Sequence, residues 1–349
     1  MAAALLRSLG MEPFQERFPW MGADLQTLHD SLLDRGSHPE TGQLIELPAG
    51  RPAGLGRSRP EDRLAGFLEP SLAADRKPAA LVVVVHGLAG SSAHCAPRRL
   101  GLALQKAGLM VLRLNLRGAG AGRSLAPGSY AADSSADLLP ALARAREFAE
   151  GRPLFGVGLS LGGTQLLRAV QASPDRLDGL VCISSPLDLQ TCTVRIEEPR
   201  NTLYQGWLLR RLKAQVLADP FGLPPRERDI LENAGLRSIR SFDAAITAPR
   251  WGYRSVDEYY NQASPLPALL DPRQRARLPR MLLVQALDDP WVPAGPAVSL
   301  ARLPDPGRLE VLLTSRGGHG GFQSHGDSMA IGCWSDRLTA CWLRRLLDS

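Results

Sequence analysis

Residues 153–172 read Pro-Leu-Phe-Gly-Val-Gly-Leu-Ser-Leu-Gly-Gly-Thr-Gln-Leu-Leu-Arg-Ala-Val-Gln-Ala. An apolar run, Leu154 to Val157, leads into Gly158-Leu159-Ser160-Leu161-Gly162, and a helical pattern follows at once. A strand, a tight turn and a helix in that order hold a serine hydroxyl clear of a sheet, which is the context of a nucleophile elbow. The turn is strained and crowded, so a side chain at position 158 or 162 is expected to strike the adjoining strand or helix. The five-residue pattern alone is a weak signal that chance supplies readily. Its surroundings must carry the inference.

Working outward, apolar strand-like runs alternate with helical patterns. Ala80–Val85 reads as a buried strand ending at His86-Gly87, and Pro97–Ala107 as a helix closed by Gly108. Leu109–Leu114 reads as the next strand, and Arg117-Gly118-Ala119-Gly120-Ala121-Gly122 follows it. Asp133 or Ser134 can cap a helix running to Glu150, which Pro140 should kink or delay. After the elbow come a helix to about Ala172 and strands at Leu180–Ser184, Met281–Ala286 and Leu309–Thr314. An amphipathic helix from about Asp327 to Leu347 ends the pattern. This alternation predicts an α/β fold with a mostly parallel, doubly wound sheet.

Residues 186–265 break the alternation. They hold no clear buried strand but much helical, charged and aromatic sequence, including Trp207, Trp251, Tyr253, Tyr259 and Tyr260. These aromatics either line an acyl tunnel or pack the insertion. The expected division is an extension at 1–62 packing on the core, a core at 63–185 and 266–349, and a helical cap at 186–265. Such a cap lies over the carboxyl edge of the sheet, where open α/β sheets bind ligands. Residues 48–62, rich in Gly, Pro and Arg, read as a surface loop.

Composition narrows the function classes. Of 349 residues, 44% are apolar and 22% charged, as in ordinary globular proteins. The longest apolar run, Ala79 to Val85, is far too short to cross a bilayer, and Arg7, Glu12 and Glu16 spoil any signal-peptide pattern. No stable membrane anchor is expected. The five cysteines (95, 182, 192, 333 and 341) are odd in number and scattered, which fits free thiols in a reducing, cytoplasmic compartment. The net charge is +6, yet the basic residues are mostly arginine and dispersed among acids. The densest knot, Arg210-Arg211-Leu212-Lys213, lacks interleaved aromatics, so no nucleic-acid partner is expected.

A serine nucleophile needs a base, an orienting acid and an oxyanion hole. Downstream, the strand ending at Ala286 runs into Leu287-Asp288-Asp289-Pro290. The strand ending at Thr314 runs into Ser315-Arg316-Gly317-Gly318-His319-Gly320-Gly321. A histidine amid four glycines sits on a loop able to approach the elbow closely. The order serine, acid, histidine is satisfied by Ser160, Asp289 and His319. Asp288 is the alternative acid; one of the two aspartates serves as a turn or cap.

Leu161 N–H, just after the serine, is the first expected oxyanion donor, and Leu88 N–H in His86-Gly87-Leu88-Ala89-Gly90 is the second. His86 is expected to brace that loop. The Gly118–Gly122 loop invites a phosphate-cradle reading, but no Walker lysine accompanies it, and Arg117-Gly118 is expected to shape the pocket floor. The set His319, His325 and Asp327 fits no standard zinc spacing. Neither a cofactor nor a metal is expected.

With these residues the chain resembles the α/β-hydrolase superfamily, and most closely its YheT-like branch, related to animal α/β-hydrolase-domain esterases and lipases. The resemblance rests on Phe18-Pro19-Trp20, Leu25-Gln26-Thr27, His86-Gly87-Leu88-Ala89-Gly90-Ser91, Arg117-Gly118 and the elbow. It continues through Ser241-Phe242-Asp243, Thr247-Ala248-Pro249, Tyr259-Tyr260, Ala263-Ser264-Pro265, Ala286 to Pro290 and Gly317-Gly318-His319. The register of Asp289 before Pro293 resembles the acid loop of many such hydrolases. The resemblance implies a serine hydrolase that cleaves carboxylic esters through an acyl-enzyme, with Ser160, Asp289 and His319 as its triad. Its substrate is expected to be a small-molecule ester, with an apolar acyl group. Alternatives are a thioesterase, lipase or acyltransferase on the same triad, or a non-catalytic binding protein of this fold. Three positions depart from the family pattern: Asp24, the stretch Ser129-Tyr130-Ala131-Ala132-Asp133, and Gly163-Thr164.

Overall fold

A computed structural model of the protein describes residues 2–33, 40–56, 59–73, 77–233 and 235–348. Eight strands form one sheet: β1 (Gln43–Pro48), β2 (Arg63–Glu69), β3 (Leu81–Val85), β4 (Met110–Asn115), β5 (Leu154–Leu159), β6 (Gly179–Ile183), β7 (Arg280–Ala286) and β8 (Leu309–Thr314). Their spatial order is β1-β2-β4-β3-β5-β6-β7-β8. β2 pairs antiparallel with both of its neighbours, and all pairs from β4 to β8 are parallel. This is the doubly wound architecture that the alternating sequence predicts.

The period of two along each strand sorts its residues between two cores. In β3, Leu81, Val83 and Val85 join one apolar cluster, while Val82 and Val84 join the other. The helices divide accordingly. On one face lie α1 (Ala2–Ser8), which contributes Leu5 and Leu6, and α3 (Cys95–Lys106), which contributes Leu100 and Leu104. Between them in sequence comes α2 (Ala23–Leu33), which leans on α3 and on the functional site. The opposite face is covered by α4 (Ser135–Ala149) and α5 (Leu161–Ala172), through Leu138, Leu142, Leu166 and Leu167. Burying each such side chain stabilises the fold by roughly 1.5–3 kcal/mol before entropy is counted.

Every element between β6 and β7 is helical. In order they are α6 (Leu189–Ile196), α7 (Thr202–Leu217), α8 (Pro225–Asn233), α9 (Ile239–Phe242), α10 (Ala248–Arg250), α11 (Val256–Ala263), α12 (Leu266–Leu270) and α13 (Pro272–Arg275), with short 3-10 and π turns among them. Beyond β7, α14 (Gly295–Ala301) and α15 (Trp334–Leu347) complete the two layers; Trp342 of α15 is fully buried.

Three local expectations need correction. The sheet starts earlier than Ala80, since Gln43–Pro48 lies within the expected 1–62 extension and pairs residue by residue with Arg63–Glu69. The last helix begins at Trp334, not near Asp327. Asp327 instead folds the preceding loop, accepting from the Ser324 and Trp334 N–H groups and pairing with Arg337. Pro140 lies within α4, whose first turn is intact. It cannot donate to the Ala136 carbonyl, and that oxygen faces Gly50, where an added Cβ would lie only 1.9 Å away.

Candidate active site

The elbow is built as the glycines predict. Ser160 has φ 51° and ψ −123°, a left-handed conformation that costs a non-glycine residue roughly 1–3 kcal/mol. Its N–H donates to the Ile183 carbonyl of β6 at 2.8 Å, tying the strained turn to the sheet. An added Cβ at Gly158 would lie 2.2 Å from the Gly163 backbone, and one at Gly162 would lie 2.4 Å from the Val85 carbonyl. Gly163 is equally constrained, with 2.0 Å to the Ser185 hydroxyl. The departure at Thr164 is accommodated because its hydroxyl donates to the Pro186 carbonyl at 2.7 Å.

The three residues named from chain order meet. His319 Nε2 lies 2.8 Å from Ser160 Oγ, and His319 Nδ1 lies 2.9 Å from Asp289 Oδ2. Asp289 is buried and fully engaged. Its Oδ1 accepts from the Trp291 and Val292 N–H groups at 2.8 and 2.9 Å, and its Oδ2 accepts from the Gln285 side chain at 3.1 Å. Asp288 faces a different way: its Oδ1 accepts from the Gly318 N–H at 3.0 Å, bracing the histidine loop. Burial, with Glu16 and Asp289 nearby, raises the Asp288 carboxyl above its usual range.

The histidine loop is held by residues that strand and helix patterns did not single out. His319 N–H donates to Thr27 Oγ1 of α2 at 2.8 Å, and Gly320 N–H donates to Ser184 Oγ at 3.1 Å. Gln26 accepts from the Gln323 N–H and donates to the Gln323 carbonyl. A Cβ on Gly318 would lie 2.4 Å from the Ala23 carbonyl, so glycine lets α2 approach the loop. Leu25-Gln26-Thr27 carried part of the resemblance; that was the available signal. The ring of Trp291 lies 4.6 Å from that of His319.

The Gly87–Gly90 loop lies against the serine, where an added Cβ at Gly87 would come within 3.1 Å of Ser160 Cβ. Leu88 and Leu161 N–H groups donate to no acceptor among the described residues. His86 is buried and bridges two backbones: its Nδ1–H donates to the Gly87 carbonyl at 2.8 Å, and its Nε2 accepts from the Leu116 N–H at 3.3 Å. Burial pushes its pKa down to about 4, so the ring is a neutral strut. Tyr130 adds a second prop, accepting from the Ala89 N–H at 2.6 Å.

Ser160 and His319 open onto a cavity of about 650 Å³ with a largely apolar wall. Leu88, Leu161, Leu208, Leu212, Val216 and Phe242 contribute to it. Of the aromatics, Trp207, Tyr259 and Tyr260 reach the cavity, whereas Trp251 donates to the Ser129 carbonyl and packs with Tyr253 against Tyr259. The Ser129–Ala132 departure thus receives the insertion: Arg250 donates to Ser129 Oγ, and Ala132 N–H donates to the Tyr259 hydroxyl. Asp24 does the same from α2, pairing with Arg200 and accepting from Tyr204. Asp243 is one of the polar groups in the wall. Asp243, in a π turn after α9, accepts from the Tyr260 hydroxyl at 2.9 Å, and burial pushes its carboxyl up to about 6.

One expectation is corrected here. Arg117-Gly118 does not floor this cavity: Arg117 is buried in a structural ion network with Asp62 and Asp137. Asp327, weighed as a metal ligand, is consumed by Arg337 and backbone donors. Among the described residues no three His, Cys, Asp or Glu side chains are grouped to hold a metal ion. No helix of the described residues is long and apolar enough to cross a membrane.

Comparison with known proteins shows the family of the chain. Residues 76–303 match the family model described as "Serine aminopeptidase, S33". The chain is 31% identical over 275 residues to the candidate esterase YheT of Escherichia coli (strain K12), an alignment covering 77% of each protein. It is 25% identical over 243 residues to the human phospholipase ABHD3, covering 69% of this chain but only 58% of the phospholipase. Among solved structures, 2,6-dihydroxy-pseudo-oxynicotine hydrolase matches with a TM-score of 0.54 at 14% identity, over 93% of this chain and 72% of that one, a likeness of fold alone. The chain belongs to the α/β-hydrolase superfamily of serine hydrolases and esterases, in its YheT-like branch.

Proposed function

We propose that the protein hydrolyses carboxylic esters with an apolar acyl group by a two-step acyl-enzyme route. The observation that carries this reading is the unbroken hydrogen-bond chain from Ser160 through His319 to Asp289 at the base of an apolar cavity. Asp289, pinned by two backbone N–H groups, holds Nδ1–H of His319 and leaves Nε2 free to accept the serine proton. Ser160 Oγ attacks the ester carbonyl as its proton passes to His319. The tetrahedral oxyanion is received by the N–H groups of Leu88 and Leu161, each worth about 10²–10³ in rate. The imidazolium then protonates the leaving alkoxide. Water, deprotonated by the same nitrogen, attacks the acyl-enzyme and releases the acid.

The cavity falls in the size range of small-molecule sites, and residues 186–265 act as a cap over it. All five cysteines are free thiols, which suits a reducing, cytoplasmic setting. The test is labelling by a fluorophosphonate probe together with hydrolysis of 4-nitrophenyl esters. Both are expected in the wild-type protein and both are abolished in S160A. Retention of ester hydrolysis by S160A would falsify the assignment.

A further inference from the structure

Beside the main cavity lies a second depression of about 380 Å³, between α7 and the two glycine-rich loops. It shares Ala89, Gly90, Ser91, His94, Arg211 and Gln215 with the main cavity, so the two are contiguous. Its outer wall carries two guanidinium groups. Arg211 is exposed, lies over the Trp207 ring, and bonds the Ala89 carbonyl and His94 Nε2. Arg123 lies across the depression, half-buried, with Nη1 donating to the Gly118 carbonyl at 2.8 Å. Gln215 donates to the same carbonyl, joining α7 to the glycine loop.

Neither guanidinium forms an ion pair among the described residues, although most other buried or half-buried arginines here do. Nη2 of Arg123 is buried without an acceptor. The two oxygens of nearby Asp219 accept from the Gly128 and Phe221 N–H groups. Burial and the positive charge of Arg250 both work against the charged form of Arg123, with Asp219 only partly offsetting them. Among the described residues no acidic side chain lines the hollow and Asp219 balances Arg123 only in part, so an anion placed between the two guanidinium groups offsets their mutual repulsion. The Gly118–Gly122 loop, which has no place in the main cavity, shapes this hollow through Gly118 and Gly120.

We propose that Arg123 and Arg211 form an anion subsite, and that the ester cleaved at Ser160 carries a phosphate or carboxylate group which docks there. The proposal rests on the esterase reading for the ester half of the substrate. The acyl group fills the apolar cavity while the anionic end projects past the Ala89–Ser91 loop into the hollow.

The test compares butyrate release from 1-butyrylglycerol, 1-butyrylglycerol 3-phosphate and 3-butyrylglycerate at low ionic strength. The wild-type kcat/KM is expected to favour at least one anionic ester over the neutral one by about tenfold or more, and 0.5 M salt should collapse the preference. Which anion wins separates phosphate from carboxylate. Arg211→Gln, on an exposed position, and Arg123→Gln should each lower the anionic-to-neutral ratio by about fivefold or more. An unchanged ratio in both variants, or a wild-type protein that disfavours both anions, overturns the subsite. If neutral-ester hydrolysis persists in that case, the esterase reading still stands. If no ester is cleaved and no fluorophosphonate label is taken up, that reading fails by itself, and calorimetry with glycerol 3-phosphate then decides the subsite. Binding lost in R211Q supports it, and no binding to the wild-type protein overturns it.

Discussion

Thr27 offers the sharpest handle on how the site is held together. Its hydroxyl accepts from the His319 N–H at 2.8 Å and donates to the Ala23 carbonyl at 2.7 Å, in a residue 9% exposed. Thr27→Val keeps the shape of the side chain but deletes that oxygen. The His319 N–H then has no acceptor, and a buried donor left this way costs about 1–3 kcal/mol. Here the cost falls on the loop that aims the imidazole, next to Gly318 at φ +58°. Carried entirely by the competent conformation, it lowers kcat by about 5- to 150-fold. KM should change little, because Thr27→Val keeps the side-chain volume where residue 27 meets the cavity wall. The assay is steady-state hydrolysis of 4-nitrophenyl butyrate, with thermal unfolding in parallel. Thr27→Ser, which keeps the oxygen, should recover most of the rate. A T27V protein with wild-type kcat refutes the claim that α2 positions the histidine.

Other expectations bear on separate parts of the molecule. Asp289→Asn should cut kcat by about 10³–10⁴-fold, since the amide no longer holds the productive imidazole tautomer, whereas Asp288→Asn, which keeps an acceptor for the Gly318 N–H, should stay within about tenfold; equal losses in the two variants would remove the distinction. Gly158→Ala sets a Cβ 2.2 Å from backbone that cannot yield, so the protein should be insoluble or devoid of fluorophosphonate labelling. His86 is neutral down to about 4 when folded, against 6.5 unfolded, so across that window the unfolded chain binds the extra proton and acid destabilises the fold, by about 3 kcal/mol in total. Asp243, raised to about 6, contributes with the opposite sign over an overlapping range. Urea unfolding at pH 7 and pH 4.5 should therefore show a smaller acid loss in His86→Gln and a larger one in Asp243→Asn than in the wild-type protein. Along a 4-nitrophenyl ester series, each added acyl CH₂ should raise kcat/KM by about fourfold until the cavity is full, from roughly 0.8 kcal/mol per buried CH₂; a flat profile would contradict an apolar acyl site.

The parallel strands were legible because each is mostly apolar and buried, as in Leu81–Val85 and Arg280–Ala286. β1 and β2 were not. Gln43 and Leu44 are exposed, and β2 carries Gly66, whose missing side chain makes room for Leu112 and Leu47, so neither reads as a buried run. Ser160, Asp289 and His319 could be named because chain order and strand ends place them. What holds them could not. Thr27 and Gln285 act through single polar atoms, and no periodicity marks a hydroxyl that caps a loop nearly three hundred residues away. The place of the glycine loop was hidden for a related reason: Gly118 and Gly120 are glycines to clear Gly128 and Asn115, a packing need that does not show in sequence which hollow the loop will line.

The bond between Thr27 and His319 spans 292 positions, and that between Gln26 and Gln323 spans 297. During synthesis the serine turn and its central strands can settle while the histidine has yet to be made. A ribosome-bound or prematurely ended chain therefore presents a serine hydroxyl with no base to activate it. The bonds that aim His319 can form only once the last loop has been made and meets Gln26 and Thr27 near the other end of the sequence.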